Sequence, residues 1–130
     1  MPLPDDLTYF TATEFRHPEL MDGDFCHFLE CVRSRYGAPL VLTSDARSPA
    51  ENAAASGSAP TSLHLLGRAV DLRWIPDRAA RWAFMVAVVE TARALGVFPE
   101  LELVNGPTDQ HIHLGLFVAP HAAALEVRAD

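Results

Sequence analysis

Residues 62–71 read Ser-Leu-His-Leu-Leu-Gly-Arg-Ala-Val-Asp, and Leu72, Arg73 and Trp74 complete the run on which the architecture turns. From Gly67 onward the residues alternate. Ala69, Asp71 and Arg73 fall on one side of an extended chain, and Val70, Leu72 and Trp74 fall on the other. This predicts a strand over residues 67–74 with one apolar face. His64 precedes Asp71 by seven residues, which sets an imidazole on a loop and a carboxylate on the strand. Asp71 sits among residues that favour burial, and a buried carboxylate needs a cation or several donors.

Outward from this run the pattern continues. Asp77 is the expected cap of a long helix over residues 78–95, which Gly96 closes. Strands are expected over 100–104 and 111–118, joined by Asn105-Gly106-Pro107-Thr108-Asp109, a set of turn residues. Upstream, Phe25, Phe28, Leu29, Val32 and Tyr36 have helical spacing, which predicts a helix over 22–36 ended by Gly37. The consecutive Leu40, Val41 and Leu42 predict a short buried strand over 39–43, and a brief helix is expected inside 48–57. Thr13 is the expected cap of an earlier helix start, residues 1–10 an extended lead-in, and the residues after Pro120 a tail. The order helix, strand, strand, helix, strand, strand predicts an α+β domain with a small, mainly antiparallel sheet and helices packed on one side.

The 130 residues suit a single domain over 1–130, and 49% hydrophobic with 21% charged residues reads as globular. Seventeen acidic against ten basic residues, net −7, argue against nucleic-acid binding. The start, MPLPDDLTYF, carries neither a basic segment nor an apolar signal core, so synthesis in the cytoplasm without a signal peptide is expected. Export from the cell would then need another device, such as a phage lysis system. The apolar run over residues 82–89 is too short to cross a bilayer, so no membrane insertion is expected. Cys26 and Cys31, on one helix, are expected as buried free thiols. We expect a monomer.

Three polar clusters interrupt the apolar background. The first holds Ser62, His64 and Asp71; its imidazole and carboxylate are N and O donors of a kind zinc accepts, and zinc takes three ligands from the protein when one position is kept for water. The second is His111-Ile112-His113, whose alternation puts both imidazoles on one strand face; alone, it reads as two partly exposed histidines on a polar sheet face. The third, Thr43-Ser-Asp-Ala-Arg47-Ser48, alone is a polar strand exit.

Together, LTSDARSPAEN (42–52), SLHLLGRAVD (62–71) and HIHLGL (111–116) resemble the zinc D-alanyl-D-alanine carboxypeptidases. That family includes phage endolysins that cut the L-alanyl–D-glutamate bond, and it shares its fold with the Hedgehog signalling domain. The middle stretch fits the family's Ser-x-His-x-x-Gly-x-Ala-x-Asp at every specified position, and residues 9–15 fit its aromatic lead-in. The resemblance implies zinc held by His64, Asp71 and His113. It implies that Arg47 faces the scissile carbonyl and that Ser62 lies near the substrate carboxylate. The implied substrate is the peptidoglycan stem peptide, cut by a carboxypeptidase or an endolysin-type endopeptidase. Two positions depart from the pattern. Asp45-Ala46 replaces Gly-aromatic before Arg47, and Gln110 stands three before His113, where the family has its glutamate base. Glutamine takes no proton from water at neutral pH. Asp109 is expected as the proton acceptor, with His111 catalytic beside it and Glu102 as the next candidate. A zinc-containing binding or structural domain of the same fold, without turnover, is the alternative.

Overall fold

The computed structural model describes residues 4, 6–54, 62–117 and 124–129. Among these, three helices are α1 (Gly23–Tyr36), α2 (Pro49–Ala54) and α3 (Arg78–Leu95). Five strands are β1 (Leu42–Ser44), β2 (Ala69–Arg73), β3 (Pro99–Asn105), β4 (Gln110–Leu116) and β5 (Ala124–Ala129). The strands form one sheet in the order β1-β2-β4-β3-β5, antiparallel except for the parallel β3–β5 pair. The expected α+β class and mainly antiparallel sheet are therefore present.

The two long helices begin and end as their residues dictate. Asp22 accepts from Phe25 N at 2.9 Å and Asp77 from Ala80 N at 2.8 Å, satisfying first-turn donors that have no partner within the helix. Gly37 (φ 81°) and Gly96 (φ 67°) end the same helices in the left-handed conformation. Phe25, Phe28, Leu29 and Val32 of α1 and Phe84, Ala87, Val88 and Ala92 of α3 are buried in one core. That core also contains Val70 and Leu72 of β2, Ile112, Leu114 and Leu116 of β4, and Leu101 and Leu103 of β3. Both helices thus lie on one face of the sheet, and burying each large side chain there contributes roughly 1.5–3 kcal/mol.

The opposite face carries the alternate residues: Asp71 and Arg73, His111 and His113, Glu100 and Glu102. Register aligns them. Asp71 pairs with His113 and Arg73 with His111 across β2–β4, and Glu102 pairs with His113 across β3–β4. A 3-10 turn, Leu63–Leu66, lies across this face. It can approach because β4 has glycine at 115, where an added Cβ would stand 2.9 Å from Leu63 Cδ1 and 3.5 Å from Ala69 Cβ.

Several expectations are corrected. Residues 124–129 are an edge strand and not a tail. The Leu40–Leu42 run is not a buried strand: β1 is an edge strand over Leu42–Ser44, its register to β2 is irregular, and Val41 is 40% exposed. The first turn is a 3-10 turn over Ala12–Glu14 with Thr11, not Thr13, at its cap position, where Glu14 Oε2 accepts from Thr11 N at 2.8 Å. Cys26 is buried as expected but Cys31 is exposed. The brief helix expected inside 48–57 is α2, and residues 55–61 lie outside the described residues.

Candidate metal centre

Asp71 Oδ1 is the point of convergence. His64 Nε2 lies 3.4 Å from it and His113 Nδ1 3.3 Å from it. One ligand atom from each of the three residues lies within 4.8 Å of the others. Three elements deliver them: the 3-10 turn, β2 and β4.

His64 is held from behind. Its Nδ1 donates to the carbonyl of Asp45 at 2.7 Å, which leaves Nε2 as the lone-pair nitrogen. That Nε2 is buried and has no hydrogen-bond partner among the described residues, although the residue is only 2% exposed. A buried acceptor without a partner costs about 1–3 kcal/mol unless something fills the place. Two imidazoles and a carboxylate facing one point suit a divalent cation that takes N and O donors, and the carbonyl behind His64 is the support such ligands usually have.

The turn carrying His64 is fixed at both ends. Ser62 Oγ accepts from His64 N at 3.2 Å, so its hydroxyl caps the turn and keeps its own hydrogen for another partner. Gly67 (φ 67°) closes the turn so tightly that an added Cβ would sit 2.0 Å from Leu20 O. Gly67 O accepts from Asp22 N at 2.9 Å. Arg68 then donates to Asp22 Oδ2 at 2.7 Å and to the carbonyls of Leu116 and Phe117 at 2.9 and 3.0 Å. The Gly-Arg pair therefore ties the turn to the start of α1 and the end of β4.

Electrostatics at the centre follow from these contacts. Burial works to raise the Asp71 carboxyl, but the hydrogen bond and charge of the His113 imidazole outweigh it and hold Asp71 well below the usual carboxylate range. Burial works to lower His113, but Asp71 on one side and Glu100 on the other outweigh it and raise the imidazole to about 9. Arg47 comes in from the loop after β1. Its Nη2 is 3.6 Å from Asp71 Oδ2 and its Nη1 donates to Asn52 Oδ1 at 3.3 Å.

The remaining candidates divide. Asp109 and His111 are joined to each other, Asp109 Oδ1 to His111 Nδ1 at 3.0 Å, on the open face two residues along β4 from His113. Gln110 instead braces the hairpin, donating to Asn105 Oδ1 at 2.5 Å. Glu102 stands opposite His113 in register. Besides Asp71, a second acid is bonded to His113, and sequence reasoning missed it: Glu100 Oε1 lies 2.5 Å from His113 Nε2. The available signal was the alternation Glu100-x-Glu102 on the polar face of β3. Asp45, read only as a departure from a pattern, is 3% exposed and accepts from Arg16 N at 2.6 Å and His17 N at 3.0 Å.

A family model described as Peptidase M15 matches residues 7–114. No curated protein sequence matches the chain. Among solved structures, the L-Ala D-Glu endopeptidase ChiX of Serratia marcescens is similar in fold, with 22% identity over 86% of this chain and 92% of that one and a TM-score of 0.58. The Ser-x-His-x-x-Gly-x-Ala-x-Asp stretch and the strand histidine that complete the His64–Asp71–His113 group lie inside the matched residues, and the chain belongs to the M15 peptidase family.

Proposed function

We propose that the chain is a zinc-dependent peptidase that cuts stem peptides of peptidoglycan. The observation that carries the reading is the convergence of His64 Nε2 and His113 Nδ1 on Asp71 Oδ1, with Arg47 beside the same carboxylate. Membership of a peptidase family supports peptide-bond hydrolysis, and the likeness in fold to an L-Ala D-Glu endopeptidase supports the choice of substrate.

His64, Asp71 and His113 would hold the ion, and a zinc ion there supplies Lewis-acid polarisation and a water acidic enough to react at neutral pH. The chain's own residues do the rest. Arg47 directs its guanidinium to the place where negative charge grows on the carbonyl oxygen as water adds to the carbon. His111, with Nδ1–H donated to Asp109, presents Nε2 as a base on the same sheet face. It takes the proton from the attacking water and returns it to the amine nitrogen as the C–N bond breaks. Asp109 therefore orients His111 and is not itself the proton acceptor. Ser62 has a hydroxyl hydrogen left to offer a substrate carboxylate after capping the turn. A phage lysis enzyme or virion-borne wall-cutting domain is the setting this activity fits.

One observation favours a second reading, a zinc domain without turnover. The position of the family's glutamate is occupied by Gln110, which serves the hairpin. Incubation of zinc-loaded protein with purified peptidoglycan, followed by mass analysis of the released peptides, separates the two. New amino and carboxyl termini at one stem-peptide bond, abolished by a chelator and restored by zinc, are expected. Full zinc occupancy with no cleavage of any muropeptide would establish the second reading.

A further inference from the structure

The sheet register brings a second carboxylate to the centre. Glu100 pairs with Gly115 and lies diagonally from His113, on the same face. Its Oε1 is 2.5 Å from His113 Nε2, while Nδ1 of the same ring faces Asp71. The two nitrogens of an imidazole point away from each other, so the ring stands between Glu100 and the point where the three ligand atoms converge. This places Glu100 behind the ligand and not beside the reacting water. On β4 the residue opposite Glu100 has no side chain, so none from that position competes for the glutamate's path to His113.

We propose that Glu100 is the positioning residue for His113: it accepts the Nε2–H, fixes the tautomer that leaves Nδ1 free for the metal, and locks the ring plane toward Asp71. The assignment rests on the metal-peptidase reading above. It pairs with the support found at His64, where the Asp45 carbonyl accepts Nδ1–H and aims Nε2. The two histidines thus present opposite ring nitrogens, each selected by the acceptor behind it: a neutral carbonyl for the one, a carboxylate for the other. A carboxylate behind a metal-bound imidazole also strengthens the ligand, because it stabilises the positive charge the ring gains on coordination.

The experiment is a zinc competition titration against a chromophoric chelator on wild type, Glu100→Ala, Glu100→Gln and Glu100→Asp, with the metal-free folds compared by circular dichroism. Removing such a support costs about 10- to 100-fold in metal affinity. Glu100→Ala is expected to weaken zinc by that factor, and Glu100→Gln less, because its amide oxygen still accepts from Nε2–H. Glu100→Asp, one methylene short, falls toward the alanine value and serves as the second variant if alanine fails to fold. Visible spectra of the cobalt-substituted proteins should shift in the same order. Zinc affinity and cobalt spectra equal to wild type in the alanine and aspartate variants would overturn the assignment, whatever happens to turnover. If turnover alone collapses, Glu100 is the proton acceptor instead. Failure of wild type itself to bind zinc would remove the metal reading, and this assignment with it.

Discussion

The Asp109 carboxylate lies 3.0 Å from His111 Nδ1, so the turn between β3 and β4 fixes which nitrogen of a β4 imidazole faces the open side of the sheet. His111→Ala is expected to lower kcat by about 100- to 10,000-fold, the range for losing a positioned base, with zinc content unchanged. Asp109→Asn should cost less, because its amide oxygen can still accept from Nδ1–H. Steady-state kinetics on a synthetic stem peptide, with metal analysis of each variant, measure this. Wild-type rates in both variants would remove the pair from the mechanism.

Arg47→Ala should remove about 2–4 kcal/mol of transition-state stabilisation, seen as a fall in kcat with folding intact. Lysine should restore only part of it, since it cannot reproduce the planar fork that reaches both Asn52 and the Asp71 side of the centre. Equal kcat/KM for wild type and alanine variant would assign the residue to the surface.

Zinc and protons compete for His113. Its imidazole is raised from 6.5 to about 9 in the folded protein, despite burial, by Asp71 and Glu100. A raised value means that the metal-free fold gains stability fully present below about 6.5 and lost as pH climbs through about 9. The Tm of chelator-treated protein should therefore fall across that window. Zinc affinity should rise across it, because the ligand must first lose a proton. With His64→Ala, added zinc should no longer raise Tm. A metal-free Tm that climbs with pH would contradict the charge arrangement described.

Gly67 and Gly96 share a φ of 67° but not their surroundings: at Gly96 an added Cβ meets nothing within 4 Å, at Gly67 it meets Leu20 O at 2.0 Å. Gly96→Ala should cost about 1–2 kcal/mol from the left-handed backbone alone. Gly67→Ala should cost more, and should also weaken zinc, because the turn carrying His64 must shift. Urea unfolding of both variants and zinc titration of the second test this; equal costs would show that the close approach at Gly67 carries no energy.

Thiol chemistry distinguishes the two cysteines. Burial pushes the Cys26 thiol up to about 12, with nearby carboxylates adding to it, while Cys31 is exposed. A thiol reagent near neutral pH should label Cys31 quickly in the native state and Cys26 only after denaturant is added. Simultaneous labelling of both in native protein would place Cys26 nearer the surface.

The apolar half of the fold was legible because it obeys simple periods. Phe25, Phe28, Leu29 and Val32 repeat at helical spacing, and Val70, Leu72 and Trp74 alternate as one strand face. His64 and Asp71 were legible as a local motif. What depended on pairing was not. Glu100 reaches His113 only through the register that Asn105↔Gln110 sets at the hairpin, and a strand read alone does not carry its register. Residues 124–129 form a strand by pairing with β3; Leu125-Glu126-Val127-Arg128 alternates apolar and polar, a period-two signal that the reading of a tail after Pro120 passed over. The consecutive Leu40, Val41 and Leu42 suggested burial throughout, but only Leu40 is fully buried, Leu42 packs against the core from the edge strand, and Val41 is exposed.

Asp45 has a reach beyond its own loop. Its carboxylate gathers the amides of Arg16 and His17, and its carbonyl holds the imidazole of His64. A glycine there could still offer the carbonyl but would have no carboxylate to receive the amides. This chain has therefore stitched its leading segment to the back of its reactive centre. Trimming or recombination upstream must respect that stitch: a junction placed after residue 17 would strip two donors from a carboxylate sealed off from solvent and loosen the histidine it backs. Modular reuse of the domain has its natural seam further upstream.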